Sequence, residues 1–331
     1  MVAFLGRIFA CPPESPLIDQ RHMEWKYWRE MSGWSGSRGF VLETDGRILA
    51  HGAAWPSVIS AESPIPSFAL IDWAADPGAV GAGVELMKRM ARLVPVVNIV
   101  GGGDMTRRML VPMGFRPRND VRTFVCPLRP VRQLLTSSWN WRSPARLARN
   151  SIWNAAASKP PGAGWMAREV KPEDLAAAGI PWPSSTGQTI VFERNPSMFC
   201  HLAECPSARS AFFAVFRGTA LAGYFCLVFT PGLARIVDAS ASSCEVNDWV
   251  ETFKLALREA RRHPDANEVT ALATAEWAGK ALELSGFHCR AINPVFLRDP
   301  EKRVPTGVTL DFQQIHGDGA FLHNGTPAYV S

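Results

Sequence analysis

Residues 72–90, DWAADPGAVGAGVELMKRM, join the end of an apolar run to the start of a helix-forming segment. An aspartate and a proline–glycine turn follow the apolar run, and Gly81 and Gly83 flank Ala82 where the helix is expected to begin. The first N–H groups of a helix have no intrahelical partners, and glycines let a phosphate approach them closely. The stretch therefore predicts a phosphate-binding loop, with a simple tight turn as the alternative.

The chain repeats itself at an offset of 172 residues. FVLETDGRILAHG begins at Phe40 and FFAVFRGTALAGY begins at Phe212, and both are typical of a strand, a turn at glycine and a second strand. Gly-Phe pairs at Gly114 and Gly286 keep the same offset, and each predicts the left-handed end of a helix. One register for hairpins and helix ends indicates duplicated α/β domains.

The repeat divides the chain into three segments. We predict an α/β fold of the α+β kind, with mixed sheets, in which residues 1–128 form one domain and residues 165–331 form a second, degenerate domain with a C-terminal extension. Residues 129–164 are rich in basic residues, tryptophan and proline, and form a linker or a helical excursion. Because their tryptophans are apolar, we expect them to pack on one domain.

Each half of the chain has the predicted order hairpin, strand, loop, helix, strand, helix and Gly-Phe. This order resembles the GNAT N-acetyltransferase superfamily, and the chain resembles a tandem pair of such domains. The resemblance implies acetyl-coenzyme A as the acyl donor, with its pyrophosphate wrapped by backbone N–H groups of the first domain. The residues implied to contact it are Trp73, Ala74, Gly78, Val80, Gly81, Ala82 and Gly83. Gly78 departs from the family pattern, which has a basic or amide residue there.

The second half lacks this glycine-rich loop. Residues 240–249 read SASSCEVNDW, so Glu245 and Asp248 would lie near any phosphates at that helix start. We therefore expect one coenzyme site, in the first half. Tandem GNAT-like proteins such as mycothiol synthases and Fem transferases can likewise use one domain for support or substrate binding.

Acyl transfer to an amine needs a proton acceptor and a hydrogen-bond donor to the carbonyl oxygen. The resemblance implies the backbone N–H of Trp73 as that donor. Asp72 is the expected base, and a hydrogen-bonded strand-end aspartate is the alternative. His51 is a second candidate, because neutral imidazole accepts a proton near pH 7. Leu110 and Leu282 stand where the family often has a tyrosine, so either another group protonates the thiolate or the protein is not a conventional acetyltransferase.

Two further segments provide candidate substrate contacts. HMEWKYWRE at residues 22–30 is similar to a tryptophan-lysine-tyrosine element of GNAT-like proteins from bacterial polysaccharide gene clusters. It implies that Trp25 and Tyr27 contact a sugar, whereas the alternative is a helix that buries Trp25 and Trp28. Asp318 lies in a C-terminal segment that either folds back near a cleft between the domains or covers the core.

The charges are distributed unevenly. The net charge is +5, but residues 121–168 contain eight basic residues and no acidic ones. Such a segment suits an anionic membrane surface or a phosphorylated glycan precursor, and the alternative is a solvated helical face. We do not expect nucleic acid as a partner, because the overall basic charge is mild. The oligomeric state is not indicated by the sequence.

Cysteine usage and hydropathy suggest a cytoplasmic protein. The seven cysteines are scattered and do not form a disulfide framework, and no apolar run approaches the length of a membrane span. Cys200, His201 and Cys205 have no second ligand pair at a supporting spacing, so we expect no metal site.

The features together favour an acyl-coenzyme A-dependent N-acyltransferase acting on an amino group of an amino sugar or glycan precursor. Two alternatives stay open at this point. One is a catalytically silent tandem scaffold that binds a ligand or protein. The other is a Fem-like aminoacyl transferase, in which the basic segment would contact transfer RNA.

Overall fold

The structure is a computed structural model that describes residues 1–175, 177, 179–180, 182–243, 245–323 and 325–331. Cys244, in the glycine-poor stretch of the second half, lies outside the described residues. No helix within the described ranges is long and apolar enough to cross a membrane.

The first half contains five strands and four α-helices among its described residues. The strands are β1 (Gly39–Thr44), β2 (Arg47–Ser60), β3 (Ile65–Ala75), β4 (Val96–Val100) and β5 (Arg116–Pro127). The helices are α1 (Val2–Ile8), α2 (Gln20–Met23), α3 (Ala82–Met90) and α4 (Asp104–Leu110), with a π-helical turn at Glu24–Trp28 and 3-10 turns at Pro16–Ile18 and Val111–Met113.

The rest of the chain repeats much of this order. The connecting helices are α5 (Pro130–Leu135) and α6 (Ser143–Ala156). They are followed by strands β6 (Trp165–Val170), β7 (Thr189–Phe192), β8 (Arg209–Arg217), β9 (Ala220–Thr230), β10 (Leu233–Ala241), β11 (Glu268–Ala273), β12 (His288–Arg298) and β13 (Thr309–Asp311). The helices are α7 (Pro196–Ala203), α8 (Val246–Arg262) and α9 (Glu276–Leu284), with 3-10 turns at Pro172–Asp174 and Gln314–His316.

One mixed sheet of 13 strands runs through both halves, which confirms the predicted fold class. The strand order is β13-β7-β2-β3-β4-β12-β5-β11-β10-β9-β8-β6, with β1 paired to β2. The strand that closes each half lies among strands of the other half, because β12 pairs with β4 and β5 pairs with β11. The β3–β4 and β10–β11 pairs are parallel. The two halves therefore share one hydrogen-bonded framework.

The two Gly-Phe pairs end helical segments as the sequence predicts. Gly114 and Gly286 adopt left-handed conformations, with φ values of 87° and 93°. In each pair the N–H of the phenylalanine donates to a leucine carbonyl oxygen, Leu110 at 3.1 Å and Leu282 at 3.0 Å. Both phenylalanine side chains are buried. The same cap therefore stands at both positions of the 172-residue offset.

The connecting helices α5 and α6 pack on the second half. The Nε2 group of Gln133 donates to Glu268 at 2.9 Å, and the Nδ2 group of Asn150 donates to Gln133 at 2.9 Å. Of the three tryptophans in this segment, Trp153 stacks on His288. The other two, Trp139 and Trp141, are 68% and 83% exposed. Packing of the segment thus depends on polar contacts as much as on its tryptophans.

Candidate active site

A cavity of about 490 Å³ opens where β3 and β4 diverge. The two strands pair in parallel from Ser67–Val96 to Ala69–Asn98, and their register ends there. The walls include residues 69–73 of β3, Ile99 and Val100 of β4, Leu233 and Arg235 of β10, Thr270 and Leu272 of β11, and Phe312, Asp318 and Leu322 of the C-terminal segment. The cavity therefore lies between the two halves, beneath a cover formed by the C-terminal segment.

An irregularity in β3 places Asp72 at this cavity. The register of β2 against β3 shifts between His51 and Ala53, so one extra residue is inserted in β3 opposite Gly52. Asp72 takes a left-handed conformation there, with φ of 48°, which costs a non-glycine residue about 1–2 kcal/mol. The Nδ1–H group of His51 donates to the carbonyl oxygen of Asp72 at 3.0 Å. The bulge is thus held in place from behind the strand.

The carboxylate of Asp72 belongs to a buried charged cluster. The hydroxyl group of Tyr27 donates to Asp72 Oδ2 at 2.7 Å, and the ammonium group of Lys26 lies 2.5 Å from the same oxygen. Lys26 is fully buried and also pairs with Asp318. Two carboxylates share one ammonium group, so the ionised cluster has a net charge of −1.

The environment separates the pKa values of the two carboxyl groups. Burial by itself raises the pKa of Asp72, but the Lys26 ammonium group and the Tyr27 hydroxyl group together outweigh burial and hold that pKa below its ordinary value. Burial raises the pKa of Asp318, and Lys26 offsets this only in part. Burial lowers the pKa of Lys26, yet Asp318 and Asp72 together raise it above its ordinary value. Asp318 is therefore the carboxyl group of this cluster that takes up a proton more readily.

The loop after β3 presents free N–H groups at the start of α3. Gly81 precedes the helix with φ of 85°, and the N–H groups of Gly81, Gly83 and Val84 donate to no acceptor in the described part of the chain. The carboxylate of Asp76 accepts the N–H of Gly78 at 2.9 Å. The helix start therefore offers hydrogen-bond donors and a partial positive charge to an anion.

Two arginines lie beside this loop through their contacts with Asp76. Arg47 and Arg7 donate to Asp76 at 2.9 and 3.1 Å. Arg47, the Gly78 N–H and Arg7 hold the pKa of Asp76 well below its usual range. Two guanidinium groups against one carboxylate leave a net positive charge next to the free N–H groups.

No protein-family model matches the chain, and no curated protein matches it in sequence. Solved structures do match. A GCN5-related N-acetyltransferase from Anabaena variabilis aligns with a TM-score of 0.55 at 12% identity, over 90% of this chain and 69% of its own. A conserved protein of unknown function from Enterococcus faecalis aligns with a TM-score of 0.56 at 10% identity, over 91% and 69%. The chain has the GNAT fold. At these identities the likeness establishes the fold alone.

The residues expected to contact coenzyme follow one another along the end of β3, the loop after it and the start of α3. Trp73 lines the cavity, and its indole N–H donates to the carbonyl oxygen of Gly83 at 2.9 Å. Ala74 is buried on β3 opposite His51, and Val80 is 98% exposed in the loop. Ala82 and Gly83 form the first turn of α3.

Three other expected site residues lie behind the cavity wall. His51 is fully buried, and its Nε2 atom contacts no hydrogen-bonding group of the described chain. Trp25 is buried between the rings of Trp55, His201 and Phe321, and its indole donates to the His201 carbonyl oxygen. Tyr27 is buried and reaches Asp72 from behind the strand.

The WKY element is helical, as one interpretation of the sequence expects, but only part of that interpretation is right. Trp25 is buried, whereas Trp28 is 47% exposed. Lys26 and Tyr27 are consecutive residues of this π-helical turn, and both side chains reach the same carboxylate.

The second half of the GNAT fold has a corresponding charged cluster but a closed cleft. Asp238 at the bulge of β10 accepts hydrogen bonds from Arg194 and from the hydroxyl group of Tyr224, as Asp72 pairs with Lys26 and Tyr27. The side-chain amide of Gln313 bonds to both backbone groups of Ala239, its oxygen accepting at 2.9 Å and its nitrogen donating at 3.2 Å. The C-terminal segment thus occupies the space between β10 and β11.

Two residues of the cavity region did not emerge from the sequence. Lys26 stands between two aromatic residues that did, and a lysine inside an otherwise apolar helix face is the signal that could have identified it. Arg235 interrupts the apolar run of β10, and a basic residue in a buried strand is a comparable signal. No group of three or more His, Cys, Asp or Glu side chains within the described ranges is arranged to hold a metal ion.

Proposed function

We propose that this chain is an acyl-coenzyme A-dependent N-acyltransferase that transfers an acetyl group from acetyl-coenzyme A to an amine. The divergence of β3 from β4 carries this proposal, because one cavity there meets the bulge at Asp72 and the strand that leads into the free helix start at Gly81. Neighbours with the same fold include a named N-acetyltransferase. We place the activity in the cytoplasm, where acetyl-coenzyme A is available.

The loop residues would hold the pyrophosphate of the donor. The N–H groups of Gly81, Gly83 and Val84 are free to donate, and the partial positive charge of the helix start adds to them. Arg7 and Arg47 supply the positive charge that the glycine at position 78 cannot, since both side chains are more than half exposed beside the loop. Trp73 and Ala74 would line the path of the pantetheine arm.

The acyl donor supplies a thioester carbonyl group, and side chains of the protein accept the proton that the amine loses. The amine nitrogen forms the new C–N bond as the C–S bond breaks, and the amine must lose a proton. Both contacts to the Asp72 carboxylate go to Oδ2, so Oδ1 is free to accept a hydrogen bond from the amine. Asp318, with its raised pKa, lines the same cavity as a second proton acceptor, and the backbone N–H of Trp73 would donate to the carbonyl oxygen. Coenzyme A leaves as the thiolate and is protonated by solvent.

Lys26, Tyr27 and His51 act as positioning residues in this proposal. Lys26 and Tyr27 fix the carboxylate of Asp72, and His51 fixes its backbone. Trp25 supports the same turn from the core. None of the four needs to touch the acceptor.

We propose an amino sugar or a related glycan precursor as the acceptor. The similarity of the WKY element to GNAT-like proteins of polysaccharide gene clusters supports this substrate class. The aromatic residues of that element are buried, so sugar contacts would come from the cavity walls.

A contact between residues 129–164 and an anionic membrane surface would suit a lipid-linked precursor. Trp139 and Trp141 are exposed, and the guanidinium group of Arg142 lies 4.7 Å from the ring centroid of Trp141. Tryptophan with arginine is a combination found at membrane interfaces. Cosedimentation with anionic and neutral vesicles measures this contact.

Calorimetric titration with acetyl-coenzyme A tests the proposed function. We expect one coenzyme per chain, because the second cleft is filled by Gln313. Gly81→Asp should abolish binding, since its carboxylate would face the pyrophosphate. Gly81→Asn is the matched control, because asparagine has the same size, tolerates the left-handed conformation and carries no charge.

If Gly81→Asp and Gly81→Asn bind coenzyme with equal affinity, the loop is not part of the coenzyme site. A wild-type protein that binds no acyl-coenzyme A, and releases no thiol with any amine, would favour the silent scaffold instead.

A further inference from the structure

Three charged residues line the cavity within the described part of the chain: Asp72, Asp318 and Arg235. The two aspartates share Lys26, whereas Arg235 extends from β10 in the other half of the fold. One Nη1 group of Arg235 donates to the Thr230 hydroxyl and to the carbonyl oxygen of Ala320, the latter at 3.2 Å. Its Nε and Nη2 groups donate to no described residue.

Arg235 has no carboxylate partner within 4.0 Å among the described residues, unlike Lys26 and Arg194. Glu268 is the acidic group whose charge raises the pKa of Arg235. The Glu268 carboxylate, however, already accepts hydrogen bonds from Gln133 and from the N–H groups of Val330 and Ser331. Burial lowers the pKa of Arg235 to about 10, so the guanidinium group remains charged at neutral pH. The Arg235 side chain is half-buried, and a partly desolvated charge without a carboxylate partner is costly unless a ligand supplies the counter-charge.

The distribution of charge in the cavity matches a ligand with two opposite charges. The cluster at Asp72 and Asp318 is negative overall and suits an ammonium group, and Arg235 on the β10 wall suits an anion. Apolar side chains of Leu233, Leu272 and Phe312 also line the cavity. We propose that the acceptor is an amine that also carries a carboxylate, which binds the free edge of the Arg235 guanidinium group.

A carboxylate fits this wall better than a phosphate. The free Nε and Nη2 groups form the two-pronged edge that pairs with two carboxylate oxygens. A phosphate dianion would leave one charge uncompensated, because Arg235 is the one cation lining the cavity among the described residues. Acceptors that combine these groups include amino acids and amino sugars bearing an acid group.

The inference rests on the proposed function for its chemistry, but its binding test does not require turnover. The protein of residues 1–331 is titrated calorimetrically with phenylalanine, leucine, 4-aminobutyrate and 2-amino-2-deoxyglucuronic acid, and each acid is compared with its carboxamide. Glucosamine is the neutral probe, and phosphoethanolamine and glucosamine 6-phosphate are the phosphate probes. At least one acid should bind about tenfold or more tightly than its amide, the scale of a charged hydrogen bond.

Arg235→Gln should remove that preference, and Arg235→Lys should restore it in part, because lysine keeps the charge but not the paired donors. Arg303→Gln is the control, since Arg303 pairs with Glu301 on the surface. Where thiol release is measurable, the ratio of kcat/KM for acid over amide should fall by the same factor in Arg235→Gln alone. A role limited to holding Ala320 would lower stability and leave this ratio unchanged.

The outcomes distinguish a failure of the acceptor inference from a failure of the proposed acyltransferase function. Turnover of glucosamine with no acid preference in any pair overturns the acceptor inference while the acyltransferase stands. Acid binding that depends on Arg235 without acyl-coenzyme A binding supports the site and overturns the enzyme. Binding of the phosphate probes alone shows that the anion class is wrong.

Discussion

Asp72 combines three structural features in one residue. It has a left-handed backbone, it accepts contacts from Tyr27 and Lys26 on one carboxylate oxygen, and it lines a cavity. Strain in a non-glycine residue persists where surrounding contacts enforce it, and such positions cluster at functional sites. The His51 bond to its carbonyl oxygen is one of those contacts.

Replacement of this aspartate by asparagine tests its role. Asp72→Asn should keep the fold, because asparagine tolerates the left-handed conformation, and should lower turnover by about a hundredfold. Coenzyme affinity should stay unchanged. Asp238→Asn is the matched control, since Asp238 has an equivalent cluster but does not line the cavity. It should lower the denaturation midpoint and spare the turnover of folded protein. Similar turnover losses in both variants would argue for a structural effect.

His201 makes stability depend on pH. Its ring stacks on Trp25, both ring nitrogens lack partners among the described residues, and burial, with Arg38 and Arg29, lowers its pKa from 6.5 to about 3. Below pH 6.5 the unfolded chain binds a proton that the folded chain does not, so the free energy of unfolding falls as pH falls toward 3. His201 should thus contribute a loss of about 2 kcal/mol between pH 7.5 and pH 5.

His201→Phe should remove that part of the pH dependence, which urea unfolding at pH 7.5 and pH 5 measures. Part of the slope should remain, because burial also lowers the pKa of His22, to about 4. An unchanged slope in His201→Phe would show that the ring is protonated in the folded state.

At the scale of elements, two glycines that end helical segments in the same way are packed differently. Gly114 and Gly286 end helical segments in the same conformation, but they differ in the space around them. A Cβ atom at Gly286 would lie 2.5 Å from the Cβ atom of Ala157 on the connecting segment, whereas one at Gly114 would approach only Arg298, at 4.0 Å. The glycine is required for conformation at both positions and for packing at one.

Alanine substitutions should separate these two requirements. Gly114→Ala should lower the free energy of unfolding by about 1–2 kcal/mol, the cost of a left-handed alanine. Gly286→Ala should lower it by a further 1–3 kcal/mol or so, because the connecting segment must move. Chemical denaturation of both variants measures the two free energies of unfolding. Equal decreases would mean that Ala157 moves away from the new methyl group without an energetic cost.

The whole molecule is held together by exchange of strands. β12 of the second half lies between β4 and β5 of the first half, and β5 in turn pairs with β11. Many hydrogen bonds between the halves are therefore ladder bonds of one sheet. The cavity walls come from both halves, so the exchange also forms the candidate site.

A fragment of residues 1–128 should not fold alone. It would lack β12 and β11, leaving one edge of β4 and both edges of β5 without partners. Circular dichroism should show no cooperative unfolding of this fragment, whereas coexpression with residues 129–331 should restore a complex on gel filtration. A fragment that unfolds cooperatively as a monomer would show that the halves are independent.

The sequence by itself determined the features that depend on short-range chemistry. Glycines at 114 and 286 mark left-handed positions because other residues are strained there, and both have positive φ values. The offset of 172 residues predicted the duplicated order of elements, since each repeat has its own hydrophobic periodicity. The WKY helix was also visible as a local pattern, whereas Asp72 was expected at the end of its strand and lies instead at a bulge within β3.

Only the tertiary structure decided which of these residues meet. The contact of Lys26 with Asp318 joins positions 292 residues apart, and Gln313 reaches Ala239 across 74. No local periodicity encodes such pairs, because they depend on how strands of the two halves exchange and where the C-terminal segment crosses the sheet. Burial and the shared ion pair then set the protonation of Lys26 and Asp318, and both are properties of the folded chain.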